Sequence, residues 1–387
     1  MRSALDIGMT CHWAGLGRVI LAVSSLLWSA PVLAERERSD NLYVVTKSVA
    51  DQGLASRQAA ATEALLEVLT RLTGLSSIPR SPVIAEALAR PDQFYSKFVY
   101  LEKPRLASSD QMGMSLSFTF DQPAIVSMMR AAKLPIWWSF RPATLVWVVV
   151  DTPAGRNIVT SGDRGPLVDA LNRAARERGV TLMFPLMDLE DAVQVAAGDV
   201  WGNFIRPLAA ASERYQVEQF LVGRFSVQEI MGQRLYSGDW QLFQRPLVPD
   251  GPKVSLSMLV PGGQQRLDNA DLERMTARAA DAVARGIVDR DLVFAREGKT
   301  QAFEVTGVTT LPRYKALLDY LVQLEFVEHV SVTALRGQAL DIQLITSAER
   351  VQLLRLLNLE GRLRSADELS GRGQATARRL EWLGGDP

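Results

Sequence analysis

The strongest constraint on the fold is a continuous apolar run, ATLVWVVV, at residues 143–150. A run of this kind, without a polar residue at every second position, is typical of a strand buried on both faces. Helix and strand patterns alternate after it, and consecutive strands and a long closing helix complete residues 141–295. This order predicts an open mixed sheet with helices on its faces. The predicted class is therefore α/β (α+β), built from three small modules.

The other two modules are predicted on either side of this central one. Residues 41–134 have the pattern order β-α-α-β-α, in which Gly74 ends the long first helix and Asp121 caps the last one. Residues 301–363 have the order β-α-β-β-α, which suits a small split βαβ-like module. The charged and glycine-containing residues 364–387 are predicted to be a disordered or weakly helical tail.

The amino terminus has the order of a secretory signal, which we assign to residues 1–34. Arg18 precedes an apolar run at residues 19–28, and small residues ending at Ala34 precede a charged stretch. The apolar run is too short to span a bilayer. We expect cleavage after Ala34, a periplasmic location and no transmembrane segment in the mature chain. The start codon, Met1 or Met9, stays open.

Removal of the signal would restrict the chemistry of the mature chain. Cys11 and His12 would leave with it, so that no cysteine and one histidine, His329, would remain. Disulfides, zinc sites made of His and Cys, and cysteine nucleophiles are then excluded in a monomer. The signal holds two of the 43 basic and one of the 43 acidic residues, so the remaining charges nearly balance. This balance argues against a nucleic-acid partner, and no metal or cofactor is predicted.

Four acidic residues cluster after a second predicted strand, in the stretch FPLMDLEDAVQVAAGDVWGNF at residues 184–204. Asp188, Glu190 and Asp191 follow the strand directly, and Asp199 comes later. Ligands bind at this edge of open α/β sheets, where clustered carboxylates can hold Mg²⁺ or Ca²⁺ or act as acid and base. In the structural alternative, Asp188 caps a short helix and the next two acids lie favourably in its first turn.

Two further residues are candidates for binding. Trp201, beside a glycine and before a predicted helix, either plugs the core or lines a pocket. Arg141 precedes the central strand, and we hypothesise that it pairs with one of the acids. The aromatic residues Trp137, Trp138 and Phe140 are predicted to pack between the first two modules. Exposure of this aromatic group would instead indicate a surface for a partner.

Several motifs occur in the order of a known family. They are LYVVTKSVADQGLASRQAAATEALLEVLTRLTG, LPIWWSFRPATLVWVVVD, FPLMDLED, DVWGNF, ASERY and FLVGRF. Through these motifs, residues 42–359 resemble the proteobacterial exported proteins of domain-of-unknown-function family 2066. The resemblance implies export and this architecture, but the family supplies no activity and no catalytic residues. The central order of elements is also similar to the amino-terminal domain of TolB and related periplasmic activator lipoproteins, domains that usually bind other envelope proteins.

The function predicted from these observations is non-enzymatic binding or assembly in the cell envelope, with another envelope protein as partner. The alternative is a divalent-metal-dependent enzyme or a small-ligand sensor that uses the acidic cluster at the strand end. Peptidoglycan or small-ligand binding between the first two modules is a third hypothesis. The missing His and Cys chemistry and the resemblance to adaptor-like domains favour the first.

Overall fold

The structure, a computed structural model, describes residues 40–102, 114–139, 141–245, 258–293, 297–365 and 378–384. These residues belong to one compact unit, and the fold class is mixed α/β, as predicted. None of the helices in these ranges is long and apolar enough to cross a membrane. The division of the chain into three domains stays a prediction.

A three-stranded antiparallel sheet lies in the amino-terminal part. Its elements are β1 (Val44–Val49), α1 (Leu54–Thr73), α2 (Pro82–Ala89), β2 (Tyr95–Glu102), β3 (Met114–Phe120), α3 (Gln122–Ala131) and the short β4 (Ile136–Trp137). The strand order is β1-β3-β2, and α1 packs against β1 and β3. Gly74 ends α1 in the left-handed region, and the carboxylate of Asp121 caps α3, as predicted. The sequence prediction lacks β2, because most side chains of this edge strand are exposed and show no alternation.

The central part holds the largest sheet. Its elements are β5 (Thr144–Thr152), β6 (Gly155–Ile158), α4 (Pro166–Arg178), β7 (Leu182–Met183), α5 (Leu189–Gln194), α6 (Ala197–Trp201), α7 (Ile205–Ala211), β8 (Gln219–Ile230), β9 (Gln233–Gln244), β10 (Met258–Ala270), α8 (Leu272–Asp291) and β11 (Leu292–Val293). The order is β10-β9-β8-β5-β6, with β7 beside the first residues of β5. Since β5 runs parallel to β7 and β8 and the remaining pairs are antiparallel, the predicted mixed sheet is confirmed.

Strand β5 separates two hydrophobic clusters. Val146 and Val148 pack with buried residues of α4 and α8 on one face. Trp147 and Val149 pack with residues of α6 and α7 on the other face. Successive side chains of a strand point to opposite faces, so the continuous apolar run serves both clusters. The prediction of a strand buried on both faces is therefore confirmed.

The carboxy-terminal part is a second mixed sheet. Its elements are β12 (Lys299–Thr306), α9 (Leu311–Val322), β13 (Val327–Arg336), β14 (Ala339–Thr346), α10 (Arg350–Leu359), β15 (Leu363–Ser365) and β16 (Arg379–Trp382). The order is β13-β14-β12-β16-β15, with β16 parallel to β12. The tail prediction is wrong for β16, because Leu380 and Trp382 are buried in the core of this sheet. Residues 366–377 and 385–387 of the predicted tail lie outside the described residues.

Trp137 and Trp138 join separate parts of the chain. Each side chain is 1% exposed. Trp137 belongs to the hydrophobic cluster that β5 forms with α4 and α8. Trp138 belongs to the core of the carboxy-terminal sheet and packs edge-on against Phe326, with 5.3 Å between ring centroids. Strand β4, which contains Trp137, also pairs with β11. The two indoles are therefore buried packing residues, but Trp138 packs in the core of the carboxy-terminal sheet and not, as predicted, between the first two modules. Phe140 lies outside the described residues.

Candidate functional site

Asp188 is the N-cap of α5, at the edge of the central sheet where β7 ends. Its carboxylate accepts a hydrogen bond of 3.2 Å from the backbone N–H of Asp191. Glu190 and Asp191 lie in the first turn of the helix. Carboxylates in these positions satisfy free amide groups and interact favourably with the helix dipole. The capping interpretation of Asp188 is confirmed.

Arg214 binds the same three carboxylates. Its guanidinium forms a bidentate ion pair with the carboxylate of Asp188, with N–O distances of 2.7 and 2.9 Å. The same guanidinium lies 3.1 Å from Asp191 and 3.6 Å from Glu190. Arg214 belongs to the 3-10 turn that follows α7 (Ser212–Tyr215). The ion pairs therefore fasten α5 to the end of α7.

Asp191 is the buried centre of the cluster, with 0% exposure. Its Oδ2 accepts hydrogen bonds from the Tyr215 hydroxyl at 2.5 Å and from the backbone N–H of Met187 at 2.9 Å. The Tyr215 hydroxyl in turn accepts a hydrogen bond of 2.8 Å from the N–H of Leu186. A buried charge is stable in a protein when it is both paired and hydrogen-bonded. Asp191 meets both conditions.

These contacts also fix the protonation states in the cluster. Hydrogen bonds from Arg214 lower the pKa of Asp188 to about 2, and the same contact raises the pKa of Arg214. Burial, together with the hydrogen bond to Asp191, raises the pKa of the Tyr215 phenol. At neutral pH these groups are a carboxylate, a guanidinium and a neutral phenol. A general acid or base works best with a pKa near the working pH, and these three groups are shifted away from it.

The cluster is built as an ion-pair network. A divalent cation needs several oxygen ligands at once, but the oxygens of Asp188 and Asp191 already accept hydrogen bonds from Arg214, Tyr215 and backbone amides. In the part of the chain that the structure describes, no three His, Cys, Asp or Glu side chains are grouped to hold a metal. The arrangement therefore favours a structural role for the acids over metal-dependent chemistry.

Helix α5 buries its acid and exposes its apolar side chains. Leu189 and Val193 are 82% and 79% exposed, whereas Asp191 and the following Val195 are buried. Residues two apart in a helix are separated by roughly 200°, so the exposed and buried pairs lie on opposite faces. A surface helix normally shows the reverse pattern. Exposed apolar groups that lie together mark interaction surfaces.

The residues before α5 fix its direction. Met187 has a φ of 52°, in the left-handed region that is costly for a residue with a side chain. Its N–H donates to Asp191, and the preceding N–H, that of Leu186, donates to Tyr215. The ion-pair network thus holds the strained residue in place, with Asp191 inward and the apolar side chains outward.

Asp199 and Trp201 belong to α6, on the same face of the sheet. The carboxylate of Asp199 accepts a 2.8 Å hydrogen bond from the N–H of Ala196 and so caps the start of α6. The Trp201 indole packs against the hydrophobic cluster on this face, and the guanidinium of Arg156 lies 4.2 Å from its ring centroid. Trp201 is therefore a partly buried core residue under an arginine, and Asp199 is a second capping residue.

Arg141 does not join the acids. It is buried, and it donates hydrogen bonds to the backbone carbonyls of Trp137, Trp138, Arg71 and Gly179. Burial lowers the pKa of its guanidinium to about 9. The predicted pairing is wrong because Arg141 precedes β5 whereas the acids follow β7. Parallel strands place these two ends at opposite edges of the sheet.

Two residues that organise the cluster, Arg214 and Tyr215, are absent from the sequence prediction. They lie in the motif ASERY, which the sequence offers only as part of a family resemblance. Both contact Asp191 across more than twenty residues of chain. In the sequence, the only indication of their role is an arginine beside a tyrosine at the end of a predicted helix. Their contacts with Asp191 could not be predicted, because they depend on how the fold brings α5 and α7 together.

A second feature of this sheet edge is also absent from the sequence prediction. A cavity of about 630 Å³ lies among β5, β6, β8, β9 and the start of α4. We call it the strand-end cavity. Its lining includes Val150 and Val227, which pack with the cluster of α4 and α8. The cavity and the acidic cluster therefore lie on opposite faces of the sheet.

Comparison with known families finds one match in the amino-terminal part. A family model described as Domain of unknown function (DUF8605) matches residues 37–138. The match includes the amino-terminal sheet and β4, but neither the acidic cluster nor the strand-end cavity. No curated protein and no solved structure matches the chain. A domain of unknown function is thus present, whereas the resemblance to family 2066 and to TolB stays a prediction.

Proposed function

We propose that this chain is a non-enzymatic binding or assembly protein of the cell envelope, and that it engages a protein partner through α5. The observation that carries the proposal is the reversed orientation of this helix. Asp191 is buried, while Leu189 and Val193 are 82% and 79% exposed. We call the side chains of Leu189 and Val193 the α5 face. A short helix that keeps its apolar side chains in water has a use for them outside its own fold.

The charges beside the α5 face favour a partner of particular chemistry. Asp188, Glu190 and Asp191 are three carboxylates that share the single guanidinium of Arg214. The side chains of Asp188 and Glu190 remain 45% and 61% exposed. The surroundings of the α5 face are therefore negative. The partner that fits is an apolar groove with lysine or arginine on its rim.

The ion-pair network prepares α5 for binding. Because Arg214 and Tyr215 already hold the helix, little conformational freedom remains to be lost when a partner binds. Full burial of Leu189 and of Val193 would each contribute roughly 1.5–3 kcal/mol. Two such anchors suit a weak or transient complex, in which small interfaces are common. This agrees with an accessory role.

The proposed location rests on the sequence. Residues 1–34 have the order of a secretory signal, and the motifs resemble exported proteins. Fractionation of the cells that make the protein tests this point independently of partner binding. The mature chain should be released with the periplasmic fraction and should begin at Glu35. Recovery of the full-length chain in the cytoplasm would refute the envelope location and leave the α5 face to be tested alone.

Photo-crosslinking tests the α5 face. A photoreactive residue placed at Val193 should capture one partner reproducibly in the native cells, and the same residue at Val322 should not. Val322 is a suitable control because it is 69% exposed and lies at the end of α9, in a different sheet region. Equal capture from both positions would contradict the proposal, because it would indicate general stickiness of exposed side chains.

Binding of the purified partner then gives the quantitative test. The double variant Leu189→Gln/Val193→Gln should bind about tenfold more weakly or worse, as expected for the loss of apolar anchors. The matched double variant Leu311→Gln/Val322→Gln removes two side chains of similar exposure, 77% and 69%, and should bind like the wild type. Unchanged affinity of the first variant would exclude the α5 face as the binding surface.

A further inference from the structure

The strand-end cavity has the size and lining of a small-molecule site. Its volume of about 630 Å³ falls in the range of roughly 300–1,000 Å³ that is usual for such sites. Most of its wall is apolar, and the principal apolar side chains are Val150, Val159, Leu167, Val168, Val227 and Tyr236. It opens at the edge where the parallel strands β5 and β8 end, which is the usual ligand position in open α/β sheets.

Two charged side chains line the mouth of the cavity. Glu229 and Arg234 are directly opposite each other on β8 and β9. Alternation along these strands places them on the same face as the apolar residues Val227 and Tyr236, which also line the cavity. Within the described residues, the side chains of Glu229 and Arg234 form no hydrogen bond and no ion pair. A carboxylate and a guanidinium thus flank an apolar chamber.

The other charged residues of the lining are already engaged. Asp163 accepts a 2.8 Å hydrogen bond from the N–H of Thr160. Arg164 donates to the backbone carbonyls of Ser161 and Asp163, both at 3.1 Å. These contacts stabilise the turn before α4. Glu229 and Arg234 are therefore the charged groups of the lining that a ligand can pair with at no cost to the fold.

We propose that the strand-end cavity binds a zwitterion with a large apolar body, of the chemistry of an apolar amino acid or a short apolar peptide. The ligand carboxylate pairs with Arg234, and its ammonium group pairs with Glu229. Side chains directly opposite on neighbouring strands have Cβ atoms about 4.5–5.5 Å apart, which suits the adjacent charges of an α-amino acid. The apolar body fills the chamber between β5 and α4. This site is independent of the α5 face, which lies on the other face of the sheet.

Calorimetric titration with chosen ligands tests the chemistry. L-Tryptophan and L-phenylalanine should bind more tightly than L-serine, because only their side chains fill the chamber. N-Acetyl-L-phenylalanine lacks the ammonium group and L-phenylalaninamide lacks the carboxylate. Each should bind up to about fivefold more weakly than phenylalanine, as expected for partly exposed charge pairs. The dipeptide Phe-Phe distinguishes a peptide site from an amino acid site. It should bind more tightly than phenylalanine to a peptide site and less tightly to an amino acid site.

Two variants assign each charge to its partner. In Glu229→Gln, phenylalanine and its N-acetyl derivative should bind with equal affinity, and in Arg234→Gln phenylalanine and its amide should do so. Arg266→Gln removes an exposed arginine, with a side-chain exposure of 82%, from β10, and should leave the differences intact. Because the changes are at exposed positions, all three variants should fold like the wild type.

Three results would overturn the proposal. They are the absence of binding by tryptophan, phenylalanine and Phe-Phe up to about 10 mM, binding of serine as tight as that of phenylalanine, and equal effects of the three variants. None of these results bears on partner capture through Val193. Conversely, failure of that capture would leave the ligand titrations unaffected, so the two proposals are tested separately.

Discussion

Tyr215→Phe is the most direct test of the ion-pair network under α5, because it removes one oxygen and keeps the buried ring. The Tyr215 hydroxyl donates to Asp191 at 2.5 Å and accepts from the N–H of Leu186 at 2.8 Å. The variant therefore loses two hydrogen bonds, one of them to a fully buried carboxylate. The ring packing against the cluster on this face of the sheet stays the same.

The expected loss follows from these two contacts. A hydrogen bond to a charged group contributes about 1.5–3 kcal/mol, and a neutral one about 0.5–1.5 kcal/mol. Asp191 keeps Arg214 and the N–H of Met187 as partners, which limits the damage. The N–H of Leu186 is only partly buried, so water can replace the lost acceptor. We expect the free energy of unfolding to fall by roughly 2–3 kcal/mol.

Urea unfolding followed by tryptophan fluorescence measures this loss. Tyr236→Phe is the matched control, because the Tyr236 ring is also buried but its hydroxyl forms no hydrogen bond among the described residues. The control should change the free energy of unfolding by less than about 0.5 kcal/mol. If both variants lost equal stability, or if Tyr215→Phe lost less than the control limit, the network would not hold α5 as described.

The pH dependence of the same difference gives a second readout. Since the pKa of Tyr215 is raised in the folded state, folding retains its proton while the unfolded phenol loses it above about pH 10. The contribution of Tyr215 is therefore complete below pH 10 and declines as the pH rises further. The difference in unfolding free energy between wild type and Tyr215→Phe should shrink above about pH 10. A difference that grows there would contradict the assigned contacts.

Four further predictions concern the ion-pair network, the binding of divalent cations and strand β16. Arg214→Met should lower the free energy of unfolding by roughly 3 kcal/mol in urea unfolding at neutral pH, because it leaves Asp191 buried without its cation. The depressed pKa of Asp188, about 2, implies that wild type loses the contribution of the Asp188–Arg214 pair as the pH falls from about 4 towards 2, so the difference between the variant and wild type should become smaller there. Mg²⁺ or Ca²⁺ at about 10 mM should raise the melting temperature by less than about 1 °C, since a cation that binds the folded state must stabilise it. Trp382→Ala should lower the free energy of unfolding by about 3–5 kcal/mol, whereas a disordered tail would show no effect.

Strong periodicity allowed most of the elements to be predicted from the sequence. The run at 143–150 predicts β5, and the positions of Gly74 and Asp121 predict the end of α1 and the start of α3. Strands β2 and β16 are absent from the prediction because their local patterns are weak. Strand β2 is an exposed edge strand whose pairing with β3 is visible only in the sheet. Strand β16 has only four residues, and its burial depends on β12, which is more than seventy residues earlier.

In the candidate site, too, local contacts could be predicted from the sequence, whereas contacts between distant residues could not. The capping role of Asp188 is local, because a carboxylate before a helical pattern predicts it without knowledge of the fold. The partners of Asp191 are distant in sequence, and the alternation that leads Glu229 and Arg234 to one cavity requires the β8–β9 register. Arg141 shows the limit most clearly. Nearness to the central strand in sequence suggested contact with the acids, but strand direction places it at the opposite edge.

The reversed orientation of α5 explains why the acidic stretch resembles an active site in the sequence. Four carboxylates near a strand end are the expected pattern for metal or acid–base chemistry. Here Asp188 and Asp199 cap helices, and Asp191 replaces the apolar residue that would normally anchor a helix to the core. An apolar anchor would have been simpler and no less stable, since buried ion pairs seldom exceed well-packed apolar residues in stability. A charged anchor leaves Leu189 and Val193 for the outer face, which agrees with the proposal that a partner binds them.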